Sequence, residues 1–155
     1  MSEAKDIIIK HISRVQDYLL EFQTELYRRG QSHDESKLDP ASELFFFEKY
    51  APLLKTSKYG SNEYKQFLKE LAPALEAHYR RNRHHPEHFE NGLAGMDLID
   101  LCEMFCDWIA AGEQHVDGGN IFRSIEINQE RFGYSDEVKS ILINTARIFK
   151  KENKK

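Results

Sequence analysis

Three observations predict an all-α fold. Apolar residues recur at alternating spacings of four and three along several stretches; no segment keeps period-two alternation bounded by turn signals; and Gly and Pro are few, 8 and 4 among 155 residues. The expectation is a single-domain helical bundle of about six or seven helices over residues 1–150, with 151–155 (KENKK) as a basic tail. The chain is long enough to bury one core without disulfides or structural metal.

The first helix should span residues 3–29, where Ile8, Ile12, Val15, Leu19, Phe22 and Leu26 form one apolar stripe and Gly30 follows as a stop. His11 and Arg14 lie beside that stripe, at the edge of a cleft. In QSHDESKLDP, Ser32 suits an N-cap and Lys37 stands one turn beyond His33. Asp39-Pro40 reads as an N-cap with Pro at the first helical position, opening a helix to about Tyr50. Phe45, Phe46 and Phe47 cannot share one face of it. Residues 51–60 form a connection, Ser61 caps the next helix, and Pro73 kinks or divides it before His78. A further helix is expected from about Gly95 to Ala111, a loop at VDGGN, and helices over Ile121–Phe132 and Val138–Phe149, the last capped by Ser135.

The chemistry concentrates between His78 and Trp108, where HYRRNRHHPEH puts four of seven histidines within eleven residues, ahead of a segment carrying Asp97, Asp100, Glu103 and Asp107. Imidazole and carboxylate are the side chains that bind divalent transition ions and move protons near neutral pH. If the helix continues to the residue before Pro86, His78, Asn82 and His85 share one narrow stripe at about 0°, 40° and 340°, and His84 and His88 point elsewhere. On the second segment Asp100, Glu103 and Asp107 share a stripe, with Asp97 about 60° away in a first turn where an acid is expected anyway. Like charges so close call for something positive against them.

The formal charge of −4 gives no broad basic surface for nucleic acid. No signal peptide or membrane-length apolar run is present, so a cytoplasmic protein is expected. Cys102 and Cys106 read as small, reduced core residues.

In chain order the candidates are His11, His33-Asp34, His78, His84-His85 and a later Asp. This order resembles the HD superfamily of metal-dependent phosphohydrolases, an all-α fold defined by a His, a His-Asp pair and a closing Asp, some members adding a His-His pair. The resemblance covers roughly residues 8 to 110. It implies metal ligands at His11, His33, Asp34, His78, His84 or His85, and Asp100 or Asp107, and hydrolysis of nucleotide phosphoesters. HDESKL, NRHHPEHF and DLCEMFCDW also resemble an uncharacterised domain family of bacterial and phage proteins, which implies no activity.

The chemistry itself asks for the same residues. Phosphoester hydrolysis needs a nucleophile at neutral pH and relief of negative charge, both supplied by divalent ions. His33, Asp34, His85 and Asp107 are the expected inner ligands, with His11 alongside and His84 and Asp100 as further candidates. Arg14, Lys37 and Asn82 are expected to contact substrate, and His78, Glu103 and Lys37 to orient groups or relay protons. The expected cofactor is one divalent ion, or two, from among Mn, Fe, Co, Ni, Zn and Mg. Two alternatives stand beside a phosphohydrolase of a nucleotide or related phosphoester. One is an α-helical nucleotide pyrophosphohydrolase using Mg²⁺ on acids alone. The other is a non-enzymatic, phage-type modulator that binds a nucleotide or partner.

Overall fold

A computed structural model describes residues 2–41, 43–57, 62–113 and 120–152. Among these the fold is all-α: α1 (Glu3–Ser32), α2 (Leu44–Thr56), α3 (Asn62–Arg81), α4 (Leu98–Glu113), α5 (Ile121–Phe132) and α6 (Asp136–Glu152), with 3₁₀ helices at Glu35–Leu38, Pro86–His88 and Gly92–Gly95. No strand occurs among the described residues. Ser61 and the VDGG of the expected loop lie outside them, as does the end of the basic tail. No described helix is long and apolar enough to cross a membrane.

The chain divides into two compact units, Met1–His33 and Asp34–Lys155. The first is α1 alone. It passes Gly30 and ends at Ser32, so Gly30 is no stop and Ser32 no N-cap. An interior glycine costs only about 1 kcal/mol against alanine, which the good helix formers Arg28, Arg29 and Gln31 tolerate.

In the second unit α2 packs on α3 through Tyr50, Leu71 and Ala74, joined by Phe46, Phe47, Leu54, Phe67 and Leu75. Of the three consecutive phenylalanines, Phe46 and Phe47 enter this cluster and Phe45 stays exposed, as the helical period requires. Asp39 does not start α2. Its carboxylate accepts from the Ala41 amide at 3.0 Å, an Asx turn, and the helix begins at Leu44 and runs through Pro52 to Thr56. Pro73 likewise sits inside an unbroken α3.

A larger core joins α4, α5 and α6 around Phe105, Ile121, Ile125, Tyr134, Leu142 and Ala146, with Trp108 stacked on Phe132. Asn120 caps α5 through the Phe122 amide, and Gly133, at φ 66°, ends it in the left-handed conformation that glycine adopts freely. Ser135 caps α6, its Oγ lying 3.4 Å from the Val138 amide. The cysteines are not core residues: Cys102 is half-buried and Cys106 exposed. The chain between the two cores, from the end of α3 to the start of α4, carries His78, His84, His85 and His88.

Candidate metal centre

The local fold at the end of α3 decides where the histidines point. The helix stops at Arg81 and does not reach His85, because His85 precedes Pro86 and takes an extended conformation, φ −98° and ψ 127°. The Asn82 amide bonds the His78 carbonyl at 3.0 Å and the His85 amide bonds the Asn82 carbonyl at 3.3 Å. This tight turn folds His84 and His85 back over His78, with ring centroids 4.8 Å apart for His78 and His85 and 4.1 Å for His84 and His85. The expected convergence of His78 and His85 is therefore reached by a turn instead of a helical stripe. His84, expected to point away, joins them.

Asp34 meets this group from the other side. It stands before the 3₁₀ helix Glu35–Leu38 at φ 56° and ψ 13°, the single non-glycine residue with positive φ among those described. Asp tolerates this region better than most residues, yet it is strained backbone of the kind that collects at functional sites. Asp34 Oδ1 lies 3.1 Å from His78 Nε2 and 3.5 Å from His84 Nε2, while Lys37 Nζ pairs with Oδ2. His78 Nε2 and His85 Nε2 are 2.9 Å apart. One ligand atom from each of Asp34, His78, His84 and His85 falls within 4.8 Å of the others.

Behind two of these rings stands a carboxylate. Glu43 Oε2 lies 2.9 Å from His78 Nδ1, and Glu103 Oε1 lies 3.0 Å from His84 Nδ1. Each acid stands where it can accept a ring N–H and leave Nε2 as the inward atom, the arrangement that orients metal-binding histidines, with Asn82 Nδ2 also 2.9 Å from His78 Nδ1. His78, His84 and Glu43 are at most 1% exposed, so these polar contacts are made away from bulk water. The Glu43 contact belongs to a wider set: Ser36 Oγ donates to Glu43 Oε2 at 3.0 Å, and Asn82 Nδ2 donates to Ser36 Oγ and to the His78 carbonyl, both at 2.8 Å.

Burial pushes the His85 imidazolium down to a pKa of about 3, helped by neighbouring His84 and His78, against the opposing charges of Asp107 and Asp34. His85 is thus neutral at physiological pH, as a coordinating imidazole must be. The same charges show that Asp107 acts on this ring, and an Asp107 oxygen lies within 4.8 Å of one of Asp34.

The other acids have different partners. Fully buried Asp100 takes a two-pronged ion pair from Arg83, Nε to Oδ1 at 3.1 Å and Nη2 to Oδ2 at 2.8 Å. Asp97 also contacts Arg83, at 3.4 Å, and the Asp97 and Asp100 carboxylates each accept from the other's backbone amide. The positive partner demanded by the acidic helix is Arg83. Glu103 stands behind His84. Asp107 offers an oxygen close to Asp34.

Other expected site residues sit as follows. Lys37 pairs with Asp34 and lies 5.3 Å over the Phe47 ring. The Asn82 amide is engaged inside the turn, holding the ring network in place. His33 ends the first unit as the C-cap of α1, one peptide bond from Asp34. His11 and Arg14 belong to α1, where His11 is exposed and Arg14 pairs with Asp17 at 3.1 Å and covers the Tyr18 ring. Sequence reasoning missed Glu43 and Ser36. Glu43 heads the apolar run Leu44–Phe47, where an acid has the ordinary explanation of a helix N-terminus, and its burial leaves no sequence signal.

A divalent ion fits this donor set. Donors bound to one ion at about 2.1 Å stand about 3.0 Å apart at right angles and about 3.4 Å at tetrahedral angles, and the three contacts among Asp34 Oδ1 and the Nε2 atoms run from 2.9 to 3.5 Å. A family model described as a family of unknown function, DUF5662, matches residues 1–152. No curated protein and no solved structure matches the chain.

Proposed function

We propose that this chain, which belongs to the family of unknown function DUF5662, is a metal-dependent phosphohydrolase acting on a nucleotide or related phosphoester. The observation that carries the reading is the convergence of Asp34, His78, His84 and His85, with carboxylates behind His78 and His84. These four residues would hold the ion, and His33 is a further candidate through its bond to Asp34. A divalent ion here supplies an activated nucleophile and neutralises phosphate charge.

The chain's own groups divide the remaining work. Glu43 and Glu103 fix the ring orientations of His78 and His84. We assign proton acceptance at the site to Asp107, which offers an oxygen within 4.8 Å of one of Asp34. Lys37 limits the negative charge of Asp34, and its exposed side gives a phosphate a cation to approach. A nucleotide pyrophosphohydrolase built on acids and Mg²⁺ fits less well, because Asp97 and Asp100 are tied to Arg83 and Glu103 to His84.

The test is a screen of nucleotides and simple phosphoesters with metal-stripped protein reloaded with Mn²⁺, Co²⁺, Ni²⁺, Zn²⁺ or Mg²⁺. Turnover restored by a transition ion and abolished by Asp34→Ala supports the reading. Equal turnover by Asp34→Ala contradicts it.

A further inference from the structure

We infer that the centre takes a borderline first-row transition dication in preference to Mg²⁺, and that Glu43 is the positioning residue that holds it to that class. This rests on the metal reading of the same four residues.

The ion class follows from donor chemistry. Three imidazole nitrogens and one carboxylate oxygen converge at the site. Mg²⁺ takes oxygen ligands and keeps several waters, whereas Mn²⁺ through Zn²⁺ accept imidazole readily. A site whose first contacts are mostly nitrogen discriminates against Mg²⁺ before size or geometry enters.

Glu43 acts one bond further out. The Nδ1 of His78 faces its carboxylate at 2.9 Å in a pocket with no exposure, beside Asn82 Nδ2 at 2.9 Å, and Nε2 turns to Asp34 and His85; a ring that holds the ion through Nε2 carries its proton on Nδ1, where Glu43 is the charged acceptor. A ring flip would put a carbon against that carboxylate and forfeit a charge-assisted hydrogen bond. The edge of the ring also meets Phe47, 6.1 Å between centroids. Glu43 is itself held: Ser36 donates to the same oxygen, and the half-exposed Arg81 guanidinium lies 3.7 Å from the other while bonding Asp39 at 3.1 Å. The result is a row from surface to site, Asp39, Arg81, Glu43, His78, in which every member is charged or polar and opposite signs alternate up to the ring. Glu43 touches neither ion nor substrate, so its effect must pass through His78.

The experiment uses the full metal-free chain, titrated calorimetrically with Zn²⁺ and then challenged with Mg²⁺. The expected result is a Zn²⁺ ion that an excess of Mg²⁺ of about a thousandfold fails to displace, and a loss of Zn²⁺ affinity of about 10–100-fold in Glu43→Gln with unchanged far-ultraviolet circular dichroism. In the zinc-loaded parent, ¹⁵N correlation spectra of the rings should put the His78 proton on Nδ1. Displacement by Mg²⁺, parental affinity in Glu43→Gln, or a His78 proton on Nε2 overturns this inference while leaving the metal reading intact. A parent that binds no ion overturns both. Should Glu43→Gln fail to fold, Arg81→Met keeps the carboxylate and removes its cation; a several-fold weaker Zn²⁺ site supports the role, and parental affinity overturns it.

Discussion

Arg83 grips Asp100 through two hydrogen bonds, at 3.1 and 2.8 Å, and Asp100 has no exposed surface. That pairing gives Asp100 a structural duty, whereas Asp107 offers an oxygen close to Asp34. Arg83→Ala should remove this two-pronged cation from a buried carboxylate and leave the Asp97 amide bonded to it. The expected cost is about 2–3 kcal/mol, kept modest because water can reach the site of the half-exposed guanidinium. Chemical denaturation measures it, and Zn²⁺ affinity in the folded variant should stay near the parent's.

Asp107→Asn should do the reverse. The substitution keeps the shape of the side chain and removes its charge, so the variant should stay folded and helical while turnover drops far more than in Asp97→Asn. Steady-state kinetics on both variants decides the matter. Equal small effects would remove Asp107 from the reaction.

Asp34→Gly separates folding from function at one position. Glycine adopts the left-handed backbone without a Cβ penalty, which recovers about 1 kcal/mol and offsets part of the lost contacts to His78 and Lys37. The melting temperature should change little and the bound ion should be lost. A large fall in melting temperature would assign Asp34 to the fold instead.

Gly95 predicts a tightly packed entry to α4. A Cβ there would stand 2.4 Å from Asn91 Oδ1 and 2.8 Å from Phe89 Cβ, so Gly95→Ala must move the turn that precedes Asp97 and Asp100. The expected destabilisation is about 1–3 kcal/mol, read by thermal melting.

Tyr134 carries an alkaline signature. Burial raises its phenol to about 12, above the ordinary value near 10, and its hydroxyl bonds the Ile125 carbonyl. A raised folded pKa means the unfolded chain releases its proton first. Its contribution to stability is therefore full below pH 10 and is lost as pH rises from 10 to about 12. Denaturation midpoints across that window should fall in the parent and fall less in Tyr134→Phe.

Much of the fold could be read from the chain because it rests on local pattern. The stripe from Ile8 to Leu26 specifies α1, and Asn120, Gly133 and Ser135 punctuate α5 and α6 by their own hydrogen bonds and φ preferences. Boundaries moved at Gly30, because one interior glycine costs too little to end a helix; at Asp39, whose side chain makes a turn ahead of α2; and over residues 51–56, which continue α2 instead of forming a connection. The site was half legible. Asp34, His78 and His85 carry residue types that announce metal chemistry, but their meeting depends on a turn, not on helical phase. His84 was misdirected for that reason. Glu43 was invisible because its significance lies in burial and in a partner 35 residues away, neither of which leaves a mark on spacing. Asp100 misled because its cation, Arg83, comes from outside its own helix.

If Asp34, His78, His84 and His85 form one metal centre, the ion the protein carries depends on Asp34. Metal content of the purified protein and of Asp34→Ala, prepared side by side and measured by elemental analysis, tests it most directly. A stoichiometric transition ion is expected in the parent and little in the variant, with both equally helical. A parent without bound transition metal even after reloading, or equal occupancy in the two proteins, would contradict it.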